Sequence, residues 1–114
     1  LEAACGTEFD DGTLLWIDTQ GHEGHVLAGA ERILGRERRP FVVIELWPYG
    51  VDRCGGRERL FRFLRRCRAV HDIRQAGWET RPPLALTELE ALYDGILAEA
   101  GDARLGCTDL LCLP

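Results

Sequence analysis

The sequence predicts an α/β domain in which strands and helices alternate along the chain. Short apolar runs bounded by turn residues are typical of buried strands. Between them lie stretches whose apolar residues recur at helical spacing. The resulting order is strand, helix, strand, helix, strand, helix, strand, which favours a layered sheet covered by helices. At 114 residues the chain is one domain or part of one, and we treat residues 1–114 as a single partial domain.

The first half of the chain carries the clearest pattern. TLLWID (13–18) is a short apolar run that predicts a buried strand. A helix is predicted next, ending at Gly35, because apolar residues follow at helical spacing: Val26, Leu27, Ala30, Ile33 and Leu34. PFVVIELWP (40–48) is apolar except for Glu45, which is typical of a strand that is buried on both faces.

The second half completes the alternation. A helix is predicted over 57–68, where apolar residues share one face, and a strand over 69–78. Thr87 and Glu90 have the spacing of a capping box, which predicts that a helix begins there. CTDLLCLP (107–114) predicts the last strand.

Composition limits the classes of partner. The formal net charge of −5 argues against nucleic acid and anionic membranes as partners, and no apolar run approaches the length of a membrane span. The five cysteines form no CxxC pair, so we expect reduced thiols and a cytoplasmic location. The chain contains no Met and begins at Leu1, so we expect a piece of a longer protein whose beginning is missing.

A cluster of polar residues, DTQGHEGH (18–25), joins the first strand to the first helix. In an open α/β sheet, ligands bind beyond the carboxyl ends of the strands. Asp18 ends the first strand and Glu45 lies near the end of the second, so both acids are predicted at that edge. An acid in such a place needs solvation or a partner. A ligand crevice and a structural turn with a helix cap both explain the cluster.

The same stretch resembles a known family. LLWIDTQGHEGHVLAGAERIL, followed by PFVVIELWP, is similar to the second half of the FkbM family of S-adenosylmethionine-dependent methyltransferases. There a strand ends in Ile-Asp-x-Glu/Gln-Gly-x-Glu, a helix with Val-Leu-x-Gly-Ala follows, and the next strand ends in an acid. The similarity is best over residues 13–47, and TDLLCLP also resembles the family's last strand. The matching positions are Ile17, Asp18, Gln20, Gly21, Glu23, Val26, Leu27, Gly29, Ala30 and Glu45.

The resemblance implies the C-terminal half of a class I, Rossmann-like methyltransferase sheet. That sheet would be mostly parallel, with an antiparallel last strand between its two predecessors. The edge of the first strand would then be open to the missing N-terminal half or to an oligomer partner.

The implied cofactor is S-adenosylmethionine, which the family holds through a glycine-rich loop in its first half. Gly55-Gly56 lacks the preceding strand that such a loop requires, so no cofactor-binding residue is assigned. The chain alone is therefore expected to be inactive.

The expected reaction is methylation of a hydroxyl oxygen on a small-molecule acceptor, such as a sugar or secondary metabolite. Loss of the acceptor proton requires a positioned base. Asp18, His22 and Glu23 are the predicted catalytic residues. Each also has a structural explanation: Asp18 as a turn cap, His22 as a solvated residue at the helix start, and Glu23 as an acid that suits the first helical turn.

The predicted substrate-binding residues are Gln20, Gly21, Glu45 and Trp47. Gln20 and Gly21 are expected to shape the turn, with Gly21 permitting close approach of another backbone. Glu45 would face either the acceptor or a neighbouring Arg, and Trp47 would line the acceptor pocket or belong to the core. Gly29 is expected to let its helix lie close to the sheet.

Two other functions are compatible with the sequence. One is a non-catalytic α/β remnant or binding module. The other is a metal-dependent hydrolase that uses His22 and His25, with Asp18 or Glu45 as a third ligand. The two histidines are three residues apart, whereas the zinc-protease motif HExxH places them four apart, so no metal ligand is assigned.

Overall fold

A computed structural model describes residues 12–35, 40–99 and 104–114 of the chain. The described elements form an α/β domain, as the sequence predicts. A single 3₁₀ turn, Trp78–Thr80, precedes the last helix. The other elements, in chain order, are β1 (Leu14–Ile17), α1 (Glu23–Gly29), α2 (Glu31–Leu34), β2 (Phe41–Leu46), α3 (Pro48–Arg53), α4 (Arg57–Leu64), β3 (Ala69–Asp72), α5 (Leu86–Glu99) and β4 (Thr108–Leu113).

The four strands form one mixed sheet in the order β1-β2-β4-β3. β1 pairs parallel to β2, and β4 pairs antiparallel to both β2 and β3. The prediction that the last strand is antiparallel and lies between its two predecessors is confirmed. The expectation of a mostly parallel sheet is not confirmed, because one of the three described pairings is parallel. Insertion of β4 between β2 and β3 makes the other two pairings antiparallel.

The two faces of the sheet have different environments. One face packs against the helices and carries the core, in which Ile44 and Leu110 are completely buried. On the other face, the side chains of Leu14 and Trp16 are 52% and 60% exposed. The middle of β2 is buried on both faces, as predicted, but the neighbouring strand β1 is covered on one face only. Within the described residues, the face of β1 that carries Leu14 and Trp16 is therefore exposed.

Several predicted boundaries are wrong in detail. The helix predicted to run to Gly35 is divided at Ala30 into α1 and α2. A helix, α3, occupies 48–53, where no helix was predicted; Pro48 at its first position suits a helix start. β3 ends at Asp72 rather than at 78, because the Asp72 carboxylate accepts hydrogen bonds from Arg74 N (3.2 Å) and from the side chain of Gln75 (3.1 Å). These bonds stabilise a turn in place of further strand.

The predicted capping box is also wrong. Thr87 lies inside α5, and the carboxylate of Glu88 accepts a hydrogen bond from Ala85 N at 2.7 Å. Half of a capping box is therefore present two residues earlier than expected, with alanine at the position where a hydroxyl side chain would complete it. No helix in the described ranges has the length and apolar content that a membrane crossing requires.

Tyr93 joins α5 to α3 through the core. Its hydroxyl donates a hydrogen bond to Asp52 Oδ1 at 2.6 Å and lies 3.1 Å from Pro48 O. Burial and the bond to Asp52 raise the pKa of Tyr93. The hydroxyl is the neutral donor that these acceptors require.

Replacement of Tyr93 by Phe is expected to lower the free energy of unfolding by about 1–3 kcal/mol, because the hydrogen bond from this buried hydroxyl to the Asp52 carboxylate is lost. Urea unfolding of the Tyr93→Phe protein measures this change. Tyr49→Phe is the matched control, since Tyr49 accepts a hydrogen bond from Arg53 at the surface. Equal effects of the two substitutions would contradict a specific role for the buried bond.

Candidate functional site

The turn after β1 is held in an unusual backbone conformation. Gln20 has φ +54° and Gly21 has φ +98°, both in the left-handed region. A side chain at Gly21 would place its Cβ 2.5 Å from the backbone of Gly50 in α3. The predicted close approach at Gly21 is therefore confirmed. It fixes the turn against the helix that follows β2.

Glu23 holds this turn from the inside. It is completely buried, and its Oε1 accepts hydrogen bonds from Thr19 N (2.8 Å), Thr19 Oγ1 (3.1 Å) and Gly21 N (3.3 Å). Its other oxygen, Oε2, is buried and has no hydrogen-bond partner. An acid in the first helical turn needs no burial, so the helix dipole alone does not explain Glu23.

Asp18 and Glu45 lie side by side near the carboxyl ends of β1 and β2, at the sheet edge where the sequence predicts them. The parallel register pairs Ile17 with Ile44, so the next position places Asp18 opposite Glu45. Gln20 Nε2 donates to Asp18 Oδ1 at 2.7 Å and to Glu45 Oε2 at 3.2 Å. One carboxylate oxygen of each of Asp18, Glu23 and Glu45 lies within 4.8 Å of the others. We call these three residues the acidic cluster.

The electrostatics of the acidic cluster are unfavourable for negative charge. Burial, followed by the Asp18 carboxylate, raises the pKa of Glu45, and Glu23 and Asp109 raise it further. An acid whose pKa is raised in the folded state stabilises the protein less as pH increases through that pKa. The folded protein therefore loses stability when Glu45 ionises.

Glu45→Gln is expected to increase the free energy of unfolding at pH 7 by about 0.5–1 kcal/mol, because it removes like-charge repulsion in the acidic cluster. The gain should disappear below the ordinary glutamate pKa of 4.5, where the carboxyl is protonated in both states. Thermal unfolding at several pH values measures it. A gain that is independent of pH would show that charge is not its cause.

Neither His22 nor His25 belongs to the acidic cluster. His22 is exposed at the start of α1, with Nδ1 3.6 Å from Cys54 Sγ. His25 accepts a hydrogen bond from Arg59 at Nδ1, so its Nε2 carries the proton and donates to Cys54 O at 2.7 Å. Both nitrogens of His25 are occupied. No group of three or more metal-ligating side chains in the described residues contains either histidine, so a hydrolase centre built on His22 and His25 is not formed.

Trp47 immediately precedes α3, and its ring packs against Gly50 in that helix. Its indole N–H donates to Arg104 O at 2.8 Å, and its ring lies so close to Gly50 that a Cβ there would be 2.1 Å from the ring. Gly50 in turn contacts Gly21. Trp47, Gly50 and Gly21 therefore form a continuous stack that fixes the turn carrying Gln20.

Sequence reasoning missed one residue in this region. Asp109 in β4 pairs with Glu45 in the antiparallel register, on the side of β2 away from β1. Its carboxylate accepts a hydrogen bond from Arg74 Nε at 2.6 Å. Asp18, Glu45 and Asp109 form a row of acids across three strands. The sequence did contain a signal for this residue. Once the strand TDLLCLP is expected beside the strand that carries Glu45, its aspartate, Asp109, is expected close to Glu45.

The close-packing role expected of Gly29 is found at Gly24 instead. A Cβ on Gly29 would have nothing within 4 Å, so Gly29 does not bring its helix close to the sheet. Gly24 does have such a role, because a Cβ there would lie 2.3 Å from Gly56 O. The contact packs α1 on the loop before α4.

A cavity of about 60 Å³ lies at the opposite end of β2. Apolar groups and three arginines, Arg59, Arg62 and Arg66, contribute to its lining, and none of the acidic cluster does. This cavity is not the candidate reactive site. It lies at the amino end of β2, whereas ligands of open α/β sheets bind at the carboxyl ends of the strands, where the paired acids lie.

The Gly55-Gly56 loop does not fit S-adenosylmethionine. Gly55 and Gly56 join two helices rather than a strand and a helix, and Gly56 packs against Gly21 O and the His25 ring. The backbone N–H groups of Gly55 and Gly56 already donate to Asp52 O and Val51 O, so this loop does not offer them to a ligand. The cofactor site is not provided by this loop.

Comparison with known proteins agrees with the strand–turn–helix pattern. The family described as the Methyltransferase FkbM domain matches residues 6–76, which is more than half of the chain. No curated protein and no solved structure matches. The matched range contains β1, the turn with Asp18 and Glu23, and the strand with Glu45. The chain therefore belongs to the FkbM methyltransferase family.

Proposed function

We propose that this chain forms the acceptor side of an S-adenosylmethionine-dependent methyltransferase that acts on a hydroxyl oxygen. The observation that carries the proposal is the pair Asp18 and Glu45, bridged by Gln20 at the carboxyl ends of two parallel strands. Ligands of open α/β sheets bind at this edge. The family match supports methyl transfer, and the carboxylates suit an acceptor that must lose a proton.

Each residue of the turn has a distinct part in this proposal. Asp18 is exposed, and it would orient the acceptor hydroxyl and accept its proton. Glu45 is half-buried, with a raised pKa, and would hydrogen-bond the acceptor. Gln20 positions both carboxylates, while Gly21 and Trp47 fix the turn and are positioning residues. Glu23 holds the turn from within. His22 faces Cys54, so it serves the acceptor only if its side chain turns away from that contact.

The cofactor would be bound outside the described residues, by a partner segment or subunit that covers β1. β1 is at the edge of the sheet, and Leu14 and Trp16 are more than half exposed on it. An open apolar edge strand favours pairing with another strand. A Rossmann-like sheet, continued beyond β1 by further strands, would place the cofactor next to Asp18 and Glu45.

The test is methyl transfer by a protein that contains the whole domain. Labelled methyl from S-adenosylmethionine is offered with hydroxylated acceptors, including sugars and phenolic metabolites, and with amine acceptors of similar size. Label in an ether product is the expected result. Label in an N-methyl product, or cofactor binding without any transfer, would contradict the proposed reaction.

A further inference from the structure

The acidic cluster has the composition of a cation site. Oxygens of Asp18, Glu23 and Glu45 lie within 4.8 Å of one another, although like charges at this distance repel. Two of the three residues face each other across β1 and β2, and the third is brought in by the turn. Adjacent carboxylates need a positive charge or a proton to be stable together.

Glu23 is an independent indication of a ligand. Its side chain is completely buried, and three donors occupy Oε1 while Oε2 is left without a partner. A buried carboxylate oxygen without a partner is costly, because it has lost its hydration without compensation. The unpartnered oxygen belongs to the carboxylate that closes the acidic cluster from the protein side.

Asp109, the acid beside Glu45 in the row, has a positively charged partner within the chain. Asp109, next in the row, pairs with Arg74 at 2.6 Å. In the described part of the chain, no ion pair involves Asp18, Glu23 or Glu45. Among the described residues, the ion pair in this row is therefore at the Asp109 end.

We propose that Asp18, Glu23 and Glu45 bind a divalent cation of the hard, oxygen-preferring class, such as Mg²⁺ or Mn²⁺. An all-carboxylate set suits these ions and does not suit zinc, which prefers nitrogen and sulfur. Their oxygen ligands lie about 2.0–2.6 Å from the ion, so ligands on opposite sides are about 4–5 Å apart. The spacing of the acidic cluster is consistent with one ion.

Gln20 would add to the coordination. Its amide now donates to Asp18 and Glu45 and neutralises neither. A half-turn of the amide would present Oε1, an oxygen ligand of the kind these cations accept, on the same side. The left-handed backbone of Gln20 holds the side chain over the acidic cluster.

Cation binding goes beyond the proposed methyl transfer and does not depend on it. Only the use of the cation would rest on that function, since a bound cation lowers the pKa of a coordinated hydroxyl and helps remove its proton. The test therefore measures binding, with neither cofactor nor acceptor present.

Mn²⁺ is titrated into the full 114-residue chain, and free Mn²⁺ is measured by electron paramagnetic resonance. We expect one ion per chain with a Kd below about 1 mM, displaced by Mg²⁺. Glu45→Gln and Asp18→Asn should each weaken binding at least about tenfold. Glu79→Gln is the control for charge, because Glu79 is exposed outside the acidic cluster, and it should change binding less than about twofold.

Glu23→Gln gives a second assessment, since its amide oxygen can still accept from Thr19 and circular dichroism will report whether it folds. If it folds, it should also bind at least about tenfold more weakly. Absence of binding by the unmodified chain at millimolar Mn²⁺ would overturn the proposal. Equal binding by the unmodified chain and the Glu45→Gln and Asp18→Asn variants would also overturn it.

Discussion

Gly21→Ala is expected to destabilise the protein by roughly 4 kcal/mol or to prevent folding. Two effects add. The φ of +98° imposes backbone strain of about 1–3 kcal/mol on any residue with a Cβ. The new methyl group would also lie 2.5 Å from the carbonyl of Gly50, which is backbone and cannot rotate away, and overpacking costs about 1–3 kcal/mol.

The matched control is Gly29→Ala, on the same helix-forming stretch. A Cβ at Gly29 meets no atom within 4 Å, so this substitution should leave the free energy of unfolding within about 0.5 kcal/mol of its original value or increase it. Chemical denaturation measures both proteins. If the two alanines have similar effects, the contact between Gly21 and Gly50 does not fix the turn.

Asp18→Asn is expected to lower kcat for methyl transfer at least about 100-fold in a protein that contains the whole domain. Asparagine keeps the shape and can still accept the hydrogen bond from Gln20, but it cannot take a proton from the acceptor. KM for the acceptor should change much less than kcat, because proton removal belongs to the transition state.

Asp109→Asn is the control for Asp18→Asn. Asp109 is in the same row of acids, but Arg74 already pairs with it, and its loss should affect stability more than turnover. Steady-state kinetics on both variants at saturating cofactor measure the contrast. An unchanged rate for Asp18→Asn would exclude Asp18 as the base.

The sequence predicts the part of the site that depends on local pattern. An apolar run that ends in Asp18, and a second that contains Glu45, are sufficient to place two acids at one sheet edge when the strands are parallel. The position of β4 between β2 and β3 follows from the family resemblance rather than from periodicity. These predictions succeed because strand direction and side-chain alternation are regular.

The parts that were missed depend on contacts between distant segments. Nothing in the local sequence indicates that Gly21 meets Gly50, because α3 was not predicted and the contact joins the turn after β1 to that helix. The burial of Glu23 was missed for a similar reason. In the sequence alone, the favourable helix dipole is a sufficient reason for an acid at that position. Only the folded turn shows that three donors converge on one oxygen of Glu23.

The central claim is that Asp18 and Glu45 act together on one acceptor. A double-mutant cycle on kcat tests it most directly, with Asp18→Asn, Glu45→Gln and the double variant in the protein that contains the whole domain. If the two carboxylates serve the same proton or the same ion, the double variant should lose about as much activity as the more damaged single variant. Losses that multiply would contradict the claim, because each carboxylate would then act alone.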